Sequence, residues 1–175
     1  MQTILVHMAN IQWTTQALHL ACALARSDQS RIILLRLIEV QHISYLGSDF
    51  ANRPLTPREF SDIAEYSATA EDYGVEMSIA QIQCLSPLAA VVAAARVVNA
   101  NIVFVHVPPS RVPFLRQYHL WQLKRQFAQA HQQFYTLDPA PQEVIRVPAV
   151  TPISQPQPQR PRAHGQRLPL DSYQP

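Results

Sequence analysis

The first forty residues constrain this chain more than any other stretch, because they read as strand, helix, strand. Thr3 to His7 is a short, mostly apolar run, and Arg31 to Ile38 is a second one. Between them Thr14 to Ser27 sets Ala17, Leu18, Ala21, Cys22, Leu24 and Ala25 at three- and four-residue spacings. One broad stripe of that helix must therefore be covered, and the simplest cover is the pair of strands it connects. The result is a βαβ unit, which places the two strands parallel.

The remaining elements follow from caps and periods. Thr56 can cap a helix whose first position is Pro57, and Glu59 stands where a capping box requires it. The helix is expected over 57–73, with Phe60, Ile63, Ala64 and Ala68 on its buried face and Gly74 as the left-handed stop. Val75, Met77 and Ile79 alternate with Glu76, Ser78 and Ala80, the period of a strand at a sheet edge. Ser86-Pro87 opens another helix, and 88–98 is apolar almost all round, so this helix is expected to lie buried in the middle of a face. Asn101 to Val107 reads as a central strand, 114–130 as a last helix with Leu120, Leu123, Phe127 and Ala130 inward, and 134–137 as a short final strand. From Asp138 onward Pro and Gln dominate around Gln155-Pro-Gln-Pro-Gln159, with no sustained apolar period. The domain is therefore 1–137, and 138–175 is expected to be a largely disordered, polyproline-leaning tail, with Val144, Ile145 and Val147 its one stretch able to lie against the body or pair with a sheet edge.

Composition excludes several classes. Gly47, Gly74 and Gly165 are the three glycines of the chain and stand far apart, so no glycine-rich phosphate loop exists. Cys22 and Cys84 read as buried thiols, since a disulfide framework needs more cysteines. The longest apolar run, 88–95, is too short to span a bilayer, and no basic leader precedes an apolar stretch; the cytoplasm is the expected location. No nucleophile elbow, H-E-x-x-H, cysteine pair at metal spacing or paired carboxylates occur, so neither an enzyme nor a metal site is expected. Net charge is only +2, but it is unevenly spread. The helix from Pro57 is acidic, whereas no carboxylate lies between Glu76 and Asp138.

The order of Ile4-Leu-Val-His-Met-Ala-Asn10, the Ala-rich helix and the run Arg31-Ile-Ile-Leu-Leu-Arg-Leu-Ile-Glu39 resembles the opening of universal stress protein domains. Ala100-Asn-Ile-Val-Phe-Val-His106 is similar to that family's fourth strand, so the resemblance covers Thr3 to about Leu137. It implies an α/β three-layer open sandwich of Rossmann-like type, with five parallel strands in the order 3-2-1-4-5. Right-handed crossovers then put the first two helices on one face and the last two on the other. Family members that bind ATP carry an Asp at the end of the first strand, a G-x-x-G pair and a later G-[ST]. Here those positions hold Ala9, His106 with Pro109, and His119 with Leu120. By this resemblance the chain is a degenerate member, and ATP or another cofactor is not expected.

In such a sheet ligands lie beyond the carboxyl ends of the strands where the order reverses. That crevice would be formed by His7, Ala9, Asn10 and His106, the candidate cofactor-binding set. Structural histidines are the favoured reading, and a nucleotide-binding stress sensor is the alternative function. A partner surface has more behind it. Phe114, Tyr118, Trp121 and Arg125 recur at three- and four-residue intervals opposite the inward stripe of the last helix, and interface centres favour aromatics and Arg. The last strand, with Phe134, Tyr135, Thr136 and Leu137, is a short uncharged edge, and universal stress proteins commonly dimerise there. Nucleic acid is the lesser alternative partner, on Arg111, Arg116, Tyr118, Trp121 and Arg125. The expectation is a dimeric, non-catalytic scaffold or adaptor in stress response or regulation, contacting partners through the last helix and the tail.

Overall fold

The computed structural model describes residues 2–48, 53–109 and 113–137. The expected tail at 138–175, with Val144, Ile145 and Val147, lies outside the described residues, as does Arg111. In chain order the elements are β1 (Thr3–His7), α1 (Ile11–Asp28), β2 (Arg31–Glu39), a short 3-10 turn (Ile43–Tyr45), α2 (Pro57–Asp72) and β3 (Met77–Cys84). They continue with α3 (Pro87–Val97), β4 (Ile102–Phe104), α4 (Pro113–Gln129) and β5 (Gln133–Tyr135). The five strands form one sheet in the order β3-β2-β1-β4-β5, and every pair is parallel. β1 is central, with Ile4 opposite both Ile32 and Ile102.

Alternation along β1 and β2 splits the core in two. Ile4, Val6, Ile32 and Leu34 face α1 and α2, where Ala17, Leu18, Ala21, Tyr66 and Ala70 close the layer. Leu5, Ile33 and Leu35 face the other way, onto Val91, Val92 and Ala95 of α3 and Leu123 and Phe127 of α4. Strands buried on both faces need continuous apolar sequence, which is what β1 and β2 supply.

Helix ends are set by local chemistry. Asn10 caps α1 by accepting from Trp13 N–H at 2.9 Å. At α2 the capping box forms in full: Glu59 N–H donates to Thr56 Oγ1 at 3.2 Å, and Thr56 N–H donates to Glu59 Oε2 at 2.8 Å. Gly74 takes φ +68° and ends that helix as expected. Three further turns place non-glycine residues in the left-handed region, at Gln29 (φ 52°), Asn99 (φ 50°) and His131 (φ 55°).

Several expectations need correction. The buried face of α2 is Ile63, Tyr66, Ala70 and Tyr73, not Phe60, Ala64 and Ala68. Phe60 is 66% exposed. Tyr66 and Ala70 continue the 3-4-3 spacing from Ile63 that points at α1, and Phe60 lies off that line. Nor is α3 buried all round: Val91, Val92, Ala94 and Ala95 are covered, but Ala89, Ala93 and Val97 are exposed. Among the described residues no second helix covers β3 on this face, and an apolar groove of about 560 Å³ runs between β3 and α3, lined in part by Leu35, Ala80, Ile82 and Val97. The fourth strand is also shorter than the apolar run, with Val105 and Val107 buried beyond its end.

One charge sits where alternation leaves no room for it. Arg36 of β2 is buried, and its guanidinium meets Glu59 at 3.0 and 3.2 Å, the Arg53 carbonyl at 3.1 Å and Gln81 Oε1 at 2.7 Å. This network ties the start of α2 to the β2–β3 edge. The Thr56 backbone N–H, joined by the Thr56 hydroxyl and Arg36 and opposed by burial, pulls the Glu59 carboxyl down to about 2.

Candidate functional sites

The carboxyl ends of β1 and β4 open a crevice of about 460 Å³ whose walls include His7, Ala9, His106 and Leu88. His7 is the last residue of β1 and 8% exposed. Its Nδ1 is buried with no hydrogen-bond partner among the described residues. Burial first, and the neighbouring His106 second, draw the His7 imidazole from 6.5 down to about 4, so the ring is neutral near pH 7. Burial lowers His106 as well. The His106 ring meets the edge of Trp13 with centroids 5.3 Å apart, which fixes it against the first turn of α1.

Three of the four crevice candidates thus come together, and Asn10 does not line the crevice. Its Oδ1 is committed to Trp13 N–H, while Ala9 N–H donates to Thr14 Oγ1 at 2.9 Å. The turn that would present donors to a ligand spends two of its polar groups on starting α1. The structure adds His119 of α4, Glu39 of β2 and Ser86 ahead of α3 to the crevice wall. The position of Glu39 at a strand end was a usable signal for one of these. His119 was signalled by the resemblance, which puts it at the later glycine position of the nucleotide-binding pattern, although it was not among the crevice candidates. No arginine or lysine among the described residues lines the crevice. Among the described residues no three His, Cys, Asp or Glu side chains are grouped to hold a metal ion.

The second candidate is the outer face of α4. Leu123 and Phe127 are buried against the sheet, and Phe127 stacks on Phe134 at 5.5 Å. On the opposite side Phe114, Tyr118 and Trp121 are all exposed, Trp121 at 57%. Tyr118 stacks with Trp121 at 6.2 Å, and the Arg125 guanidinium sits 5.7 Å from the Trp121 ring centre. Tyr118, Trp121 and Arg125 form one ridge capped by a cation–π contact, and Phe114 stands exposed one turn before it.

At β5 the picture is mixed. Among the described residues β5 is an edge strand, paired only with β4. Tyr135 is exposed and stacks on Phe104 at 5.4 Å, whereas Phe134, Thr136 and Leu137 are half-buried, with Leu137 against the α1 side of the core. Cys22 and Cys84 are buried free thiols, and burial pushes Cys22 up to about 11. Among the described residues no helix is long and apolar enough to cross a membrane.

No protein-family model matches the sequence, and no curated protein matches it either. Solved structures do. A universal stress protein in complex with cAMP aligns with TM-score 0.53 at 14% identity, over 78% of this chain and 96% of that one. One from Archaeoglobus fulgidus aligns with TM-score 0.55 at 11% identity, over 79% and 94%. The fold is the universal stress protein fold. A third example, from Arabidopsis thaliana with AMP bound, aligns with TM-score 0.50 at 14% identity, over 85% of this chain and 99% of that one. The strand order 3-2-1-4-5 and the two-and-two placement of helices expected for universal stress proteins are both present.

Proposed function

We propose that this chain is a universal stress protein-like scaffold or adaptor that works by association, not catalysis, in stress response or regulation. It acts in the cytoplasm, where Cys22 and Cys84 stay reduced. The observation that carries the reading is the exposed ridge of Tyr118, Trp121 and Arg125 on α4, with Phe114 exposed one turn before it. A helix needs one apolar stripe to hold it to its domain, and α4 has that stripe in Leu123 and Phe127. The second, aromatic stripe is therefore surplus to folding, and exposed rings backed by Arg favour capture of a partner. Dimerisation through the outer edge of β5 accompanies this role, with Tyr135 at the contact. Affinity capture with the full chain tests the reading: proteins retained by wild type and by Val97→Ala, a control at an exposed α3 position, should be lost with Trp121→Ala. Equal recovery by all three refutes it.

A second reading is favoured by one observation, the unpartnered buried Nδ1 of His7 beside a roomy crevice. Two of the aligned universal stress proteins hold cAMP or AMP. A nucleotide sensor would use that crevice. Against it, no Lys or Arg among the described residues lines the crevice to meet a phosphate, and Pro109 and His106 stand where the nucleotide-binding pattern has glycines. No bound cofactor is part of the proposed function. Thermal unfolding with and without about millimolar ATP, AMP or cAMP separates the two readings, because a ligand specific for the folded state raises its stability.

A further inference from the structure

We propose that the basic aromatic ridge of α4 docks onto the acidic outer face of α2 in a second copy of the chain. This rests on the reading of α4 as a protein-interaction face and names its occupant. α4 carries Arg116, Lys124 and Arg125 and no carboxylate. α2 carries Glu59, Asp62, Glu65, Glu71 and Asp72 against one cation, Arg58. Glu59 is spent on Arg36, while Glu65, Glu71 and Asp72 are exposed. The two helices therefore present opposite charge over similar lengths, 16 and 17 residues.

Shape complements charge. On the exposed side of α2, Phe60, Ala64, Ala68 and Glu71 fall on one line at three- and four-residue spacings, and all four are exposed. Two alanines in that row make a shallow trough with a ring at one end and acids along the other. On α4 the line that points straight away from the core is the ridge of rings ending in Arg125. A ridge of large side chains seats on a row of small ones, and Lys124 and Arg125 then reach the acids at the rim.

Topology dictates who can use the pair. α2 packs with α1 on one face of the sheet, and α4 lies on the other. One copy cannot bring them together, but two copies stacked face to back can. Such a contact joins different surfaces, so each added copy leaves one acidic and one basic face free, and the assembly grows as an open chain. Two helices about 24 Å long bury on the order of 600 Å² in total, below the roughly 1,000 Å² of a stable interface, so the association is weak and sensitive to salt.

The test is sedimentation velocity of the full chain across a concentration series, in about 50 mM and about 500 mM salt. Wild type should show growth with concentration beyond any fixed dimer, suppressed at the higher salt. Lys124→Glu/Arg125→Glu and Glu65→Lys/Glu71→Lys should each weaken growth at least about tenfold, and an equimolar mixture of the two should restore it, because each variant then complements the other. These positions are exposed, and circular dichroism checks that both variants fold. Growth unchanged in either variant, or no restoration in the mixture, overturns the proposal. If charge reversal on α4 leaves self-association unchanged while Trp121→Ala still loses a captured protein, the adaptor reading stands and this inference falls. Binding of an oligonucleotide by wild type but not by Lys124→Glu/Arg125→Glu, with self-association unchanged, makes nucleic acid the occupant and likewise overturns it.

Discussion

Glu59→Gln isolates the charge in the network that anchors α2, because glutamine keeps an oxygen able to accept from the Thr56 N–H. The Arg36 side chain is 6% exposed and that of Glu59 28%. Removing one partner of a fully buried pair costs about 3–5 kcal/mol, since the other charge is left without compensation. Here Glu59 is partly wet, and Arg36 keeps the Arg53 carbonyl and Gln81. The fall of the Glu59 carboxyl from 4.5 to about 2 gives an independent scale. At about 1.4 kcal/mol per unit this is at most roughly 3 kcal/mol, reduced by solvent screening of a partly wet carboxylate and by the Thr56 N–H, the largest contribution, which glutamine can still engage. Both routes converge on a loss of about 2 kcal/mol near pH 7. Because the folded carboxyl is depressed, the stabilisation is complete above about pH 4.5 and disappears as pH falls toward 2. Urea unfolding of wild type and variant should therefore show a gap of about 2 kcal/mol near pH 7 that closes at acid pH. A gap below about 0.5 kcal/mol near neutrality, or one that does not change with pH, would refute the assignment.

Other outcomes follow from the same structure. The His7 imidazole is held neutral to about pH 4 in the folded protein, so wild type should lose up to about 3 kcal/mol as pH falls from 6.5 to 4 and the unfolded chain takes up the proton. His7→Gln should flatten that window in pH-dependent urea unfolding, and an identical slope counts against it. Phe127→Ala removes a ring 1% exposed and stacked on Phe134, and should cost about 3–5 kcal/mol by thermal or urea unfolding. A loss under about 1 kcal/mol would mean that α4 is not held by that ring. Tyr135→Lys sets like charges across the proposed β5 dimer and should raise its dissociation constant at least about tenfold by light scattering, with the fold intact; an unchanged mass speaks against β5 as the interface.

The fold was readable wherever burial is two-sided. Ile4-Leu-Val6 and Ile32-Ile-Leu-Leu35 announce central strands because both faces of the sheet are covered there. The Thr56 to Glu59 capping box is legible for a different reason: its chemistry is local, and three residues contain all of it. What failed depends on tertiary neighbours. Choosing Phe60 over Tyr66 as the buried ring of α2 follows from hydrophobicity, but the direction of the helix toward α1 decides it. Arg36 interrupts an apolar strand, and no local pattern names Glu59 and Gln81, the partners that make its burial tolerable. In the crevice, His7 and His106 are legible from strand ends, whereas His119 is signalled only by the resemblance, since its approach depends on how α4 lies. The outer ridge of α4 was legible in full, since a helical period places residues on a face whatever the neighbours are.

Three turns after α1, α3 and α4 place Gln29, Asn99 and His131 at positive φ, a conformation that costs an L-residue about 1–2 kcal/mol, least for asparagine. In a chain so poor in glycine, this is an untapped reserve for engineering. Gln29→Gly and His131→Gly should each raise the melting temperature by a few degrees, since about 0.5–1 kcal/mol is released per site. Neither position touches the crevice or the α4 ridge, so a sturdier scaffold is within reach on which weak, reversible contacts can be dissected without unfolding the protein that makes them.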